Sequence, residues 1–328
     1  MSNLINLIES AFAYGEGRPK TGHWPSEATD CPRKVVYNWQ GAKKTDPIEP
    51  GGWWKIKLGS AIHELCQATL VDIEADPDKV KDLAWEGFHV ETEVRSGKVA
   101  VPGLDYPISY RMDITFTDDD GVKALCEFKT AFGFGMRAIK EEGPKDSAMA
   151  QTICYMALSG IRRGYIMYVS RDNADRVLFQ IDHVYERRLQ ADMSEIEIAT
   201  ADQKCWVEPG VLEIEKGWRL SRMFPSGDLS VMKEYTPELW PKIIAKFRFI
   251  EDCLKGSMVP ERPYKVAIKN GEIRDKFVKG GVTFKSDWQC MYCSYMKKCW
   301  GEIAAEYADS DNSDDFKEAT DGGNIETD

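Results

Sequence analysis

Asp113 and, past a turn signal, Glu127-Phe128-Lys129 are the residues of this chain best suited to chemistry. Side chains alternate faces along a strand, so Glu127 and Lys129 project to one side while Phe128 points to the core. Asp113 is central in an otherwise apolar strand segment, 108–117, that precedes the strand carrying Glu127. Adjacent strands would let the two carboxylates share one divalent cation. Oxygen ligands suit a hard ion such as Mg²⁺ or Mn²⁺. The ion polarises a phosphate and acidifies an attacking water, and a lysine beside it orients that water or offsets developing negative charge. Phosphodiester hydrolysis needs this set. A Glu-x-Lys pair alone is also what a solvated strand face offers, but Leu125 and Phe128 flank this one.

Three more residues extend the constellation. His63, within Gly59-Ser-Ala-Ile-His63-Glu64, lies on an expected helix and can present an imidazole nitrogen to the same metal. Gln151 and Tyr155 stand four apart on another expected helix, hence on one face. An amide and a phenol so placed suit hydrogen bonding to a DNA phosphate or base; a Tyr155 that merely packs is the plainer alternative.

A second grouping is made of sulfur. Cys31 lies near the start of the chain, and Cys290-Met-Tyr-Cys293 followed by Cys299 lies near its end. Together they can complete a four-thiolate metal site that joins both ends of the fold. Four cysteines without a histidine fit zinc or an iron–sulfur cluster equally by spacing. Nine cysteines, an odd number without an export signal, argue against a disulfide framework. Cys66, Cys126 and Cys154 sit in apolar patterns as small buried hydrophobes, and Cys205 and Cys253 lack partners at ligand spacing.

The net charge of −11 argues against a generally basic nucleic-acid binder, but it is unevenly spread. Residues 302–328 hold ten acidic side chains against one lysine, so the remaining body is close to neutral and can carry a local basic groove. That Asp/Ser/Gly-rich tail is expected to be disordered, a solubilising segment with room for a protein partner. No apolar run is long enough to span a bilayer, and residues 1–9 lack a basic start and a cleavage site. A cytoplasmic protein with no membrane partner is expected.

The elements that must position these residues are legible in outline. Residues 59–74 read as an amphipathic helix and 26–40 as a helix-compatible segment. Strands are expected over 87–94, 108–117 and 123–130, with Asp118-Asp-Asp-Gly121 as a hairpin turn. A glycine-rich loop over 130–143 leads to a helix over 145–160, then strands over 164–170 and 176–185. Residues 186–235 read as an insertion or helical subdomain, 236–255 as a capped helix, and 260–284 as irregular and basic. Arg33 and Lys34, Trp53, Trp54, Lys55 and Lys57 ahead of the His63 helix, and Phe132, Phe134 and Arg137 are candidate DNA contacts, because interleaved aromatics and cations suit a single strand.

In this order and spacing the chain resembles the PD-(D/E)XK nuclease superfamily, specifically its RecB-like branch with an iron–sulfur cluster, and most of all the Cas-four-like proteins and their phage exonuclease relatives. The resemblance runs over about residues 26–300 and is densest at the motifs. It implies an α/β, restriction-endonuclease-like core, a central mixed β-sheet flanked by helices. This single domain would span 1–300, with an insertion at about 186–235 and a helical iron–sulfur cap from 26–40 and 284–300. By the same resemblance His63, Asp113 and Glu127 bind metal, Lys129 is the catalytic lysine, and Gln151 and Tyr155 form the Gln-x-x-x-Tyr motif. Cys31, Cys290, Cys293 and Cys299 hold a [4Fe–4S] cluster. The implied activity is Mg²⁺- or Mn²⁺-dependent DNA exonuclease action on single strands or ends, in recombination, repair or phage DNA metabolism. The alternatives are a non-catalytic DNA-end-binding adaptor on the same fold, or a CRISPR spacer-processing subunit.

Overall fold

The computed structural model describes residues 20–46, 48–76, 90–117, 121–189, 196–199, 211–269, 272–279, 282–306 and 318–319. Along the chain the elements are a 3-10 turn (Pro25–Glu27), α1 (Pro32–Trp39), α2 (Pro50–Ala75), β1 (Val90–Val99), β2 (Ile108–Thr117), β3 (Lys123–Ala131), α3 (Gly133–Glu142) and α4 (Asp146–Ser159). There follow β4 (Arg163–Ser170), β5 (Arg176–Leu189), β6 (Ile196–Ala199), β7 (Val211–Met223), β8 (Leu229–Tyr235) and α5 (Leu239–Lys255). The chain continues through β9 (Val266–Lys269), β10 (Glu272–Arg274), β11 (Lys276–Lys279), β12 (Val282–Lys285), α6 (Trp288–Met291), α7 (Met296–Glu306) and β13 (Glu318–Ala319).

Contacts divide the chain into two units. The larger comprises Thr21–Thr29 and Trp54–Arg248. It is built on a mixed eight-stranded sheet in the order β1-β2-β3-β4-β5-β7-β8, with β6 also paired to β5. Only β3 and β4 run parallel among the pairings recorded in this sheet; α3 and α4 make the crossover that such a pair requires. Helices cover both faces. On one, Met149, Ile153 and Met156 of α4 pack with Leu125, Ile166 and Phe179. On the other, Cys66 and Leu70 of α2 lie against Ile114, Cys126, Phe128 and Tyr165. Leu125 through Phe128 are therefore buried on both sides, as central strands of such sheets are.

The α4 helix sits unusually near the sheet because β4 offers Gly164 there. A Cβ at that position would meet Met156 Sδ at 2.8 Å and Thr152 Cγ2 at 3.0 Å. The helix then ends on Gly160 in the left-handed region, φ 73°, a backbone conformation glycine adopts without a Cβ penalty. This docking brings Gln151 and Tyr155 to the sheet.

The smaller unit comprises Met1–Lys20, Asp30–Trp53 and Phe249–Asp328. Its core gathers Val266, Ile268, Cys290, Trp300 and Ala304. The N-terminal stretch is fastened to the C-terminal one: Thr45 and Asp46 N–H groups donate to Ser294 O (both 3.0 Å), and Tyr295 Oη donates to Asn38 Oδ1 (2.8 Å).

Several elements differ from the sequence reading. The glycine-rich loop is the helix α3, held by Met136 and Ile139 in the core. The described part of 186–235 is strand apart from the turn at 224–228: the end of β5 with β6, β7 and β8, each paired with a neighbour in the sheet. The irregular region 260–284 holds the short hairpin pairs β9–β10 and β11–β12. Trp53, Trp54, Lys55 and Lys57 lie inside α2 rather than ahead of it. Residues 118–120 of the expected turn, Cys205 and most of the acidic tail lie outside the described residues, while 302–306 complete α7. Among the described residues no helix is long and apolar enough to cross a membrane.

Candidate functional site

Asp113 marks the point where two strands part. The β2–β3 ladder runs from Thr117↔Lys123 to Ile114↔Cys126 and stops there. Beyond it the Asp113 carboxylate replaces the missing strand partner, its Oδ2 accepting the Phe128 N–H at 2.8 Å. From the helix side Gln67 Nε2 donates to Asp113 O at 2.8 Å. One α-helical turn earlier, His63 places Nδ1 3.5 Å from Asp113 Oδ2, and its ring meets Phe128 edge-on at 6.1 Å. The carboxylate is thus fixed in direction by a backbone amide and faces an imidazole.

Glu127 follows on β3, with the residue 2% exposed. Its Oε1 accepts from Lys129 Nζ in a close ion pair and from Gln151 Nε2 at 2.9 Å. Gln151 also takes a hydrogen bond from Lys129 Nζ on its Oε1 (3.0 Å) and donates to Tyr155 Oη (2.8 Å). Tyr155 in turn lies 6.0 Å from the Tyr110 ring. The Gln151 amide thus joins the acid and the amine, and the Tyr155 phenol joins the amide.

Burial pushes the Glu127 carboxyl up to about 7, against the pull of Lys129; Asp113 adds repulsion and His63 a weaker attraction. Tyr155 is raised out of the titratable range, by burial first and then by Glu127. The other carboxylate oxygen, Glu127 Oε2, is buried without a hydrogen-bond partner. An orphaned buried acceptor implies an absent positive or donating group. Glu127, Asp113 and His63 carry donor atoms of the kinds that could hold a hard divalent ion. Among the described residues, no group of three or more His, Cys, Asp or Glu side chains is drawn up tightly enough to hold a metal ion as it stands.

The four cysteines of the second grouping are free and lie within electrostatic reach of one another in the smaller unit. Cys31 is the N-cap of α1, Cys290 lies on α6, Cys293 follows it and Cys299 is on α7. Burial pushes the Cys290 thiol up to about 12, and Cys293 and Cys299 are raised for the same reason. Arg33 and Arg262 oppose the rise at Cys299, and Lys34 opposes it at Cys293. Arg262 further clamps the Cys299 carbonyl with Nε and Nη2 at 2.9 and 2.7 Å. Of the four, Cys290 is buried and Cys31, Cys293 and Cys299 are half-buried, with cationic side chains near Cys293 and Cys299. Cys126 and Cys154 are buried in the core, as is Cys253, and Cys66 packs against it.

Sequence reasoning missed Gln67 and Arg171. Gln67 stands four residues after His63 on the same helical face, a legible signal. Arg171 lies in the β4–β5 turn, where nothing in the local pattern singled it out.

No family model and no curated protein matches this chain. Two solved structures are similar at low level. SSO0001 aligns with TM-score 0.42 and 13% identity over 91% of this chain and 95% of that one. LHK-Exo in complex with dAMP aligns with TM-score 0.35 and 14% identity over 77% of this chain and 93% of that one. Likeness this distant assigns neither family nor activity, so what the chain does is read from its own site.

Proposed function

We propose that this protein is a metal-dependent DNA exonuclease of the PD-(D/E)XK type, acting on single-stranded DNA or DNA ends. One observation carries the reading: buried Glu127, paired with Lys129 and held by Gln151, stands beside Asp113 and His63 with one carboxylate oxygen unpartnered. An alternating strand face in water has no need of a buried acid, and a structural ion pair does not leave an acceptor orphaned.

In this reading Asp113, Glu127 and His63 would hold Mg²⁺ or Mn²⁺, which when bound supplies electrophilic activation of the phosphate and an acidified water. Lys129 holds a cation beside the position where negative charge develops. Gln151 fixes Lys129 and Glu127 in register, and Tyr155 fixes Gln151. The Phe128 amide keeps the Asp113 carboxylate turned toward His63. Cys31, Cys290, Cys293 and Cys299 would hold a [4Fe–4S] cluster that closes the smaller unit as a structural cap.

The test is digestion of end-labelled single-stranded and duplex DNA by anaerobically purified protein, with Mg²⁺, Mn²⁺ or chelator. Cleavage that needs the metal and vanishes in Lys129→Ala, with DNA binding retained, is the expected result. Binding without cleavage under every metal condition would overturn the hydrolytic reading in favour of an end-binding adaptor.

A further inference from the structure

His63 belongs to a second feature besides the acid pair. A cleft of about 340 Å³ opens beside it, lined by Lys55, Gly59, Ser60, His63, Thr130 and Arg171. Two cations, an imidazole and two hydroxyls face one space beside Ile56, and among the described residues no carboxylate lines it. Gly59 keeps the helix close to β3, since a Cβ there would stand 3.2 Å from Thr130 Oγ1.

Arg171 is built into this cleft rather than draped over it. Its backbone N–H donates to Ala131 O at 2.9 Å, and its Nη1 donates to Lys55 O at 2.9 Å. The Nε–H is buried and finds no acceptor. The neighbouring acid, Asp172, is engaged by Ser170 Oγ and by the Gly133 N–H (3.1 Å). A guanidinium held in place through its own backbone and the Lys55 carbonyl, lining a space with a second cation, an imidazole and two hydroxyls, suits a tetrahedral oxyanion.

The surroundings identify which oxyanion. Phe132 and Phe134, two and four residues after Thr130, are 64% and 84% exposed, a heavy burden for phenylalanine in water. The bonds from Arg171 to Ala131 and from Gly133 to Asp172 fasten their turn to the arginine's turn. Exposed rings beside a cationic cleft suit unpaired bases, because bases inside a duplex already stack on their neighbours.

We infer that the Lys55–Arg171 cleft is a phosphate subsite for a single DNA strand, with Phe132 and Phe134 as its base-stacking platform. It rests on the hydrolytic reading only in its role: a strand anchored there passes His63, so Arg171 selects which bond lies over Asp113 and Glu127. Arg171 is a positioning residue in this scheme, and the subsite itself stands on geometry alone.

The test is equilibrium binding of the full-length protein, in chelator so that nothing is cut, to a fluorescein-labelled dT12 strand and to a blunt 12-base-pair duplex. Arg171→Gln is expected to weaken dT12 binding by about tenfold and to flatten its log–log salt dependence by ~0.7. The double variant Phe132→Ala/Phe134→Ala, both rings being exposed, keeps the wild-type melting temperature and loses dT12 affinity by about tenfold or more. Duplex binding changes less than about twofold in both. The subsite is overturned if wild type does not bind dT12, if the phenylalanine pair binds it unchanged, or if strand and duplex weaken equally. A protein that never cleaves but shows the selective losses keeps the subsite and refutes only the hydrolytic reading.

Discussion

Asp113 and Phe128 are joined where the backbone ladder between their strands has already stopped, the carboxylate of one accepting the amide of the other at 2.8 Å. The aspartate therefore has two duties, closing a gap in the sheet and presenting its oxygen to His63. These separate by substitution. Asp113→Asn can still accept the Phe128 amide through its carbonyl and should melt close to wild type, while cleavage falls by about 10³-fold or more with the lost charge. Asp113→Ala leaves a buried N–H without a partner and should lose about 1–3 kcal/mol of stability as well. Thermal melts beside cleavage assays distinguish the two; equal destabilisation by both variants would contradict the bond's proposed structural duty.

Glu127 makes stability depend on pH in an unusual direction. Its carboxyl is raised from the ordinary 4.5 to about 7 by burial, so the folded chain binds more protons than the unfolded one between those values. The metal-free protein should thus lose stability as pH rises from 4.5 to about 7, by about 3 kcal/mol from this group, with the cost complete above that range. Glu127→Gln should melt higher than wild type at pH 7.5 in chelator and equal to it near pH 4. Added Mg²⁺ should stabilise wild type more at pH 7.5 than at pH 5.5 and leave the glutamine variant unmoved.

Lys129 and Gln151 differ in what their loss does. Lys129→Met removes the cation beside Glu127 and should reduce turnover by about 10²–10⁴-fold, with DNA affinity changed little. Gln151→Ala leaves the amine and acid in place but unfixed, so a smaller loss of about tenfold or more is expected. Tyr155→Phe removes only the acceptor of the Gln151 amide and should be milder still. Single-turnover rates rank the three; a tyrosine effect equal to the lysine effect would assign Tyr155 a direct chemical role.

The sulfur grouping is tested by metal content. Cys31→Ser and Cys299→Ser should each lose iron and sulfide on anaerobic purification, whereas Cys253→Ser, a buried thiol outside the grouping, should lose neither. Zinc without sulfide in the wild-type protein would identify a thiolate zinc clasp in place of a cluster.

Legibility in the sequence followed the strength of local pattern. The apolar run around Asp113 delimits β2 as Ile108–Thr117, and Glu127 to Lys129 fall on β3 as the alternation requires. The helix α3 was hidden because Gly133 and Gly135 read as loop; tertiary contacts of Met136 and Ile139 override that propensity. Strands β7 and β8 were hidden because exposed charges blur their period, and ladder pairing supplies what alternation does not. At the site, His63, Asp113, Glu127, Lys129, Gln151 and Tyr155 all join one connected set. Arg171 escaped notice because it acts on a backbone carbonyl, which no sequence pattern displays, whereas the four-residue spacing of Gln67 from His63 was legible.

The clasp of the smaller unit also constrains biosynthesis. Thr45 and Asp46 bind Ser294, and Cys31 shares its neighbourhood with Cys290, Cys293 and Cys299. A nascent chain exposes Cys31 long before the ribosome releases the sulfurs that accompany it. The larger unit can form before the last three sulfurs are made, but the first thiol must stay reduced and unclaimed until they emerge. Oxidants met in that interval would remove the first thiol from the grouping before the others joined it.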